Sequence, residues 1–186
     1  MKTRTLTAAL LSVAALGVGT AAVAQQTSPA APATPMAADS KLDSKDRDFL
    51  ENAAQSGHME VEGSKLALQK SQNAEIKSFA QKMIDDHGKA GQKLASLAKS
   101  KGYDAPTEPS LMQQAKLKTL GMRDDGFDKA YAEGVGVSAH EDAVKLFEDA
   151  SKNAKDPEVK QFAAETLPIL QQHLQMAKTL EQGVKK

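Results

Sequence analysis

The chain has 186 residues, with 24 Lys and Arg against 24 Asp and Glu, and no cysteine. That length holds one domain, and the missing cysteine excludes disulfides and a cysteine-linked lipid anchor. The balanced charge argues against nucleic acid or an anionic membrane as partner.

Residues 1–24 predict a secretory signal peptide. Lys2 and Arg4 form the charged start, Leu6 to Val18 the apolar run, and Ala22-Val23-Ala24 a small-residue cleavage site before Gln25. The run is too short to span a bilayer, and nothing later is apolar enough to do so. The expected location is therefore the periplasm, with no membrane span after cleavage and an outer-membrane association left open. Without Lys2 and Arg4 the balance becomes 22 basic against 24 acidic side chains, a net charge of −2. Residues 25–42 are rich in Pro, Ala, Ser and Thr without an apolar period, which predicts a disordered linker. Residues 43–186 then form the folded domain.

Helix one is predicted over Ser44–Ser71, capped by Asp43 or Ser44, with Asp46 in its first turn. Its apolar stripe is Phe49, Leu50, Ala53, Ala54, Gly57, Val61, Ser64, Ala67 and Leu68. At 100° per residue, Glu60 lies roughly 50° from the centre of the stripe and Glu62 roughly 150° away. Glu62 is thus solvated, and Glu60 faces the partner helices, where a carboxylate is costly unless paired or metal-bound. The bland alternative is that Glu60 snorkels at the edge of the stripe. His58 lies farther round and falls outside the site.

Helix two starts at a Ser71 or Asn73 cap and stops at Gly102, so helices one and two form an antiparallel hairpin. Its stripe runs Ile76, Phe79, Ala80, Met83, Ile84, Ala90, Leu94, Leu97 and Ala98, with His87 in the middle where a leucine belongs. Residues 103–126 are a long crossover, broken by Pro106 and Pro109 and containing a short helix over 110–120. Helix three is predicted over Phe127–Ser151, with His140 on the face of Val137, Val144 and Phe147; Gly134 and Gly136 suggest a bend or a close approach. Glu141 is a rival for the inward polar position. Helix four opens on Asp156-Pro157-Glu158 and carries His173 near the centre of its apolar face, one turn beyond Pro168, which should kink it.

An internal repeat relates the two hairpins. Glu75-Ile76-Lys77-Ser78-Phe79-Ala80 matches Glu158-Val159-Lys160-Gln161-Phe162-Ala163, and a core-facing histidine follows 8 residues after Phe79 and 11 after Phe162. Heights agree as well. Glu60 and His87 lie ~17 and ~21 Å from their shared turn, and His140 and His173 ~17 and ~24 Å from theirs. A lone inward histidine is more often a hydrogen-bonded core residue than a ligand. Three of the chain's four histidines, one per helix at matched heights, favour a shared site.

The chain resembles the bacterial domain-of-unknown-function family 4142, a group of exported proteins with a ferritin-like four-helix bundle. The matching stretches are Asp48-Phe49-Leu50, Glu60-Val61, Phe79 to His87, Phe127-Asp128 with Ala130-Tyr131, His140 with Leu146-Phe147-Glu148, Phe162-Ala163, Leu167-Pro168 and His173. The resemblance implies an all-α, ferritin-like fold of two antiparallel hairpins joined by the crossover, and export. It implies no established activity.

Di-metal oxidases of this fold carry Glu-x-x-His on two helices. Here Ile84 and Leu170 stand three residues before His87 and His173, which argues against such an enzyme. The remaining set, Glu60, His87, His140 and His173, suits one transition-metal ion: zinc, copper or iron. Met83 and Met176, each near a site histidine, read as core fillers. The expected function is a non-enzymatic periplasmic metal-binding protein, in metal handling or envelope stress. The competing reading is a structural or interaction protein of the envelope, with an unknown protein partner and a buried histidine hydrogen-bond network.

Overall fold

The computed structural model describes residues 42–185. The expected signal peptide and nearly all of the linker lie outside the described residues. The domain is all-α. Helix α1 spans Ser44–Lys70 and α2 Ala74–Ser100. The crossover carries α3, Leu111–Gly121. The third long element has three parts: α4 at Phe127–Tyr131, a π-helical turn at Ala132–Ser138, and α5 at Ala139–Asn153. Helix α6 spans Pro157–Val184.

The caps explain the boundaries. Asp43 accepts from Lys45 N at the start of α1. Asn73 accepts from Glu75 N and Ile76 N, and Asp156 accepts from Glu158 N and Val159 N. The two copies of the sequence repeat therefore begin α2 and α6 with one capping geometry. Ser110 and Gln113 complete a reciprocal capping box on α3. Gly102 ends the α2 turn at φ +74°, a conformation that favours glycine.

Helices α1 and α2 pair as one antiparallel hairpin, and α5 and α6 as the other; α1 lies against α5, and α2 against α6. The crossover spans the length of the bundle. Lys101 at its start pairs with Asp156 and Glu158 at the foot of α6. Asp124 near its end pairs with Lys70 at the far end of α1. The result is a ferritin-like bundle with one long crossover.

All five phenylalanines are buried on the predicted stripes. The apolar core has two parts. Phe49, Phe147 and Phe162 anchor one, in edge-on or tilted contact with centroids 5.0–6.4 Å apart. Ile76, Phe79, Met83, Phe127 and Tyr131 anchor the other. Between them lies a layer of buried polar side chains: Glu60, Ser64, His87, His140 and His173.

The third element departs from expectation. It is not one α-helix over Phe127–Ser151. The π-helical turn inserts an extra residue, because its hydrogen bonds reach five residues back rather than four. The inward face is therefore Tyr131, Ala132, Val135, Gly136 and His140, while Gly134 is exposed and Val137 only half-buried. Gly136 is the close approach, since a Cβ there would lie 3.3 Å from that of Ala177. Helix α6 continues as helix through Pro168, whose ring is exposed.

Gly57, Gly88 and Gly91 are different. Each is within a helix, and an added Cβ would meet nothing within 4 Å. Each weakens its helix by roughly 0.5–1 kcal/mol relative to Ala.

Asp46 does more than favour a helix N-terminus. It is 1% exposed, and its carboxylate accepts from Lys155 N at 3.0 Å and Asp156 N at 2.7 Å, tying α1 to the α5–α6 turn. Asp46→Ala leaves two backbone donors without partners, an expected loss of about 2–3 kcal/mol. Thermal unfolding should show Tm lowered by roughly 5–10 °C; an unchanged Tm would show that water replaces the carboxylate there.

Candidate metal centre

Four elements contribute to the polar layer, and each ring is held from behind. His87 Nδ1 lies 3.0 Å from Glu60 Oε2. His140 Nδ1 lies 2.8 Å from Gly136 O and 3.2 Å from Val135 O. These carbonyls accept only, so His140 Nδ1 carries the proton and its Nε2 bears a lone pair. The π-helical turn supplies them. His173 Nε2 lies 3.0 Å from Asp86 Oδ2, which Lys82 also contacts at 2.9 Å. His173 Nδ1 is thereby left unprotonated, and it is buried with no hydrogen-bond partner.

The three rings converge. One ring nitrogen from each of His87, His140 and His173 lies within 4.8 Å of the other two. His87 Nε2 and His140 Nε2 are 3.3 Å apart. Nitrogens bound at ~2.0–2.1 Å to one tetrahedral zinc sit about 3.3 Å from each other, so this pair is at ligating separation. A histidine whose second nitrogen is held by a carboxylate or carbonyl is the usual metal-ligand arrangement.

The predicted residues Glu60, His87, His140 and His173 thus share one layer, but Glu60 has a different position from the other three. It lies on the Nδ1 side of His87, behind the ring, with Oε1 3.6 Å from His140 Nδ1 and no hydrogen-bond partner. Glu141 is half-buried and pairs with Lys178 at 3.2 Å, and His58 is only half-buried outside the triad. Asp86 is the residue that sequence reasoning misses. Its signal is its place beside His87, but helical periodicity alone does not put it against α6.

Burial sets the electrostatics. It pushes Glu60 up from 4.5 to about 8. Burial, then the neighbouring His140 and His173, pull His87 down to about 3. His140 falls to about 4 through burial and then His173, against the upward pull of its carbonyl contacts. His173 is also lowered by burial, against the pull of Asp86. At neutral pH the three rings are neutral, as ligation requires. A protonated Glu60 can donate to His87 Nδ1. The Nε2 proton of His87 then faces the lone pair on His140, and the metal-free layer is satisfied except at His173 Nδ1 and Glu60 Oε1. Near the layer, Ser64 and Tyr131 share a hydrogen bond of 2.9 Å.

A bundle of four helices whose core is crossed by a buried histidine triad is the class that fold and site define. The profile of the domain of unknown function DUF4142 matches residues 31–180. The chain belongs to that family.

Three solved structures share the fold. A DUF305 fragment from Deinococcus radiodurans is 14% identical, with a TM-score of 0.65 over 76% of this chain and 98% of its own. CopM in its Cu(I)-bound form is 19% identical, with a TM-score of 0.65 over 76% and 98%. CopM in its Cu(II)-bound form is 17% identical, with a TM-score of 0.63 over 74% and 96%. Among curated proteins, none matches. Among the described residues, no helix is long and apolar enough to cross a membrane.

Proposed function

We propose that the domain is an exported, periplasmic metal-binding protein that holds one transition-metal ion on His87, His140 and His173. The observation that carries this reading is the convergence of the three rings, with one ring nitrogen from each within 4.8 Å of the other two, in a layer where His173 Nδ1 is unprotonated, buried and without a partner. An unsatisfied buried polar atom is costly, and a cation would satisfy it. Glu60 and Asp86 act as positioning residues. With Glu60 ionised, His87 donates through Nδ1 to the carboxylate and frees Nε2 to ligate. The neutral nitrogen donors suit zinc, copper or iron. CopM, named as copper-bound, supports copper among these by fold alone. The three ligating side chains include no carboxylate to bridge two ions, so binding rather than di-metal oxidation is proposed.

The test is metal-dependent stability. An ion present at about 1,000 times its Kd adds about 4 kcal/mol, raising Tm by roughly 10 °C in a domain of this size. Calorimetry with zinc, Cu(II) and Fe(II) on metal-stripped protein should give one equivalent for at least one ion. The same Tm with and without all three would leave the histidines as a structural hydrogen-bond network.

A further inference from the structure

Beside the polar layer is a cavity of about 370 Å³ bordered by α1, α2, α5 and α6. Phe147 and Phe162 contribute its aromatic wall, and Glu60 and His87 its buried polar groups. Gly57, Gly88 and Gly91 line it from the two helices of the first hairpin. Glycines inside helices are usually explained by a close neighbour that a methyl group would strike. These three have none, because an added Cβ at each meets nothing within 4 Å. What they create is open space. A second observation bears on the same place. Glu60 is 1% exposed, and its Oε1 has no hydrogen-bond partner. Mostly apolar cavities of this size with few polar groups are typical of small-molecule sites.

We propose that this cavity binds a small, largely apolar molecule, of about the size of one substituted ring, whose single hydrogen-bond-donating head group meets Glu60. The apolar body lies between Phe147 and Phe162 and the helix surfaces that the glycines leave bare. A molecule seated there also stands against His87. The inference rests on the cavity and on Glu60, and is independent of the ion.

The experiment uses the full-length, metal-free protein with benzyl alcohol and toluene as probes, followed by isotope-edited NMR of Ala53, Phe147 and Phe162. Benzyl alcohol should give saturable shifts at these residues, with a Kd about fivefold or more below that of toluene, as one added hydrogen bond predicts. Gly57→Leu fills the cavity and strengthens the helix, so it should raise Tm while abolishing the shifts; Gly91→Leu should do the same from the facing helix. Absence of saturable shifts, equal binding of the two probes, or binding that survives both substitutions would overturn the proposal. So would a lowered Tm in both variants, since the glycines would then be packing requirements. None of these outcomes depends on metal binding.

Discussion

Replacing His87 and His173 together by Gln is expected to erase the metal-dependent rise in Tm, a loss of roughly 10 °C in the loaded protein. Two of three nitrogen donors disappear, and one imidazole does not hold a transition-metal ion against water. The metal-free variant should stay folded, because a Gln amide can still hydrogen-bond Glu60 from position 87 and Asp86 from position 173. Circular dichroism should show the helical signal intact, while calorimetry shows no metal uptake. Uptake retained in the double variant would place the ion elsewhere and remove the triad as its site.

Glu60→Gln should split stability from affinity, with opposite signs. Burial raises the Glu60 carboxyl from 4.5 to about 8, so between these values the folded state holds a proton that the unfolded state has released. Stability contributed by that proton is present below pH 4.5 and lost as pH rises through 8. Each tenfold difference in proton affinity between the folded and unfolded chain is worth about 1.4 kcal/mol, so the loss amounts to a few kcal/mol. Gln has no proton to lose, so the metal-free variant should keep its Tm from pH 6 to 9 while the parent falls. The histidines act on the other side of the profile. Their lowered values mean that the unfolded chain takes up protons first as pH drops below 6.5, so both proteins should weaken there. Metal affinity should move the opposite way, falling about 10–100-fold, because an uncharged amide holds His87 less firmly as a ligand. A parent Tm that is flat from pH 6 to 9 would show that Glu60 is ionised throughout.

Much of the bundle and its polar layer is legible in the sequence, for identifiable reasons. The stripes containing Phe49, Phe79, Phe147 and Phe162 locate the bundle, because 3.6-residue periodicity and burial are tightly coupled. The matched heights of Glu60 with His87 and of His140 with His173 follow from the rise per residue and two short turns. What stays hidden depends on contacts between helices or on departures from ideal winding. Asp86 is one residue from His87, yet its role needs α6 alongside to bring His173 within 3.0 Å. Asp46 looks like a first-turn acid until the α5–α6 turn lies against it. Helical phase correctly turns Glu60 inward, but whether it meets His87 in front of the triad or behind it is a matter of side-chain direction that phase does not resolve. Val137 falls on the inward face only where an α-helix winds without interruption, and here it does not.

The π-helical turn bears on how this chain tolerates changes of length. A deletion inside a helix normally turns everything beyond it by about 100° and buries the wrong face. Between Tyr131 and His140 the chain already contains one residue more than regular winding needs. Gly134 is exposed, and a Cβ added there would meet nothing within 4 Å. Losing it would let the segment wind as ordinary α-helix with Tyr131, His140 and Phe147 still directed inward. Shape and packing therefore do not require the extra residue. Its specific product is the pair of main-chain oxygens that fixes the tautomer of His140. The surplus residue serves the imidazole, and a lineage that gave up the histidine would be free to discard the insertion with it.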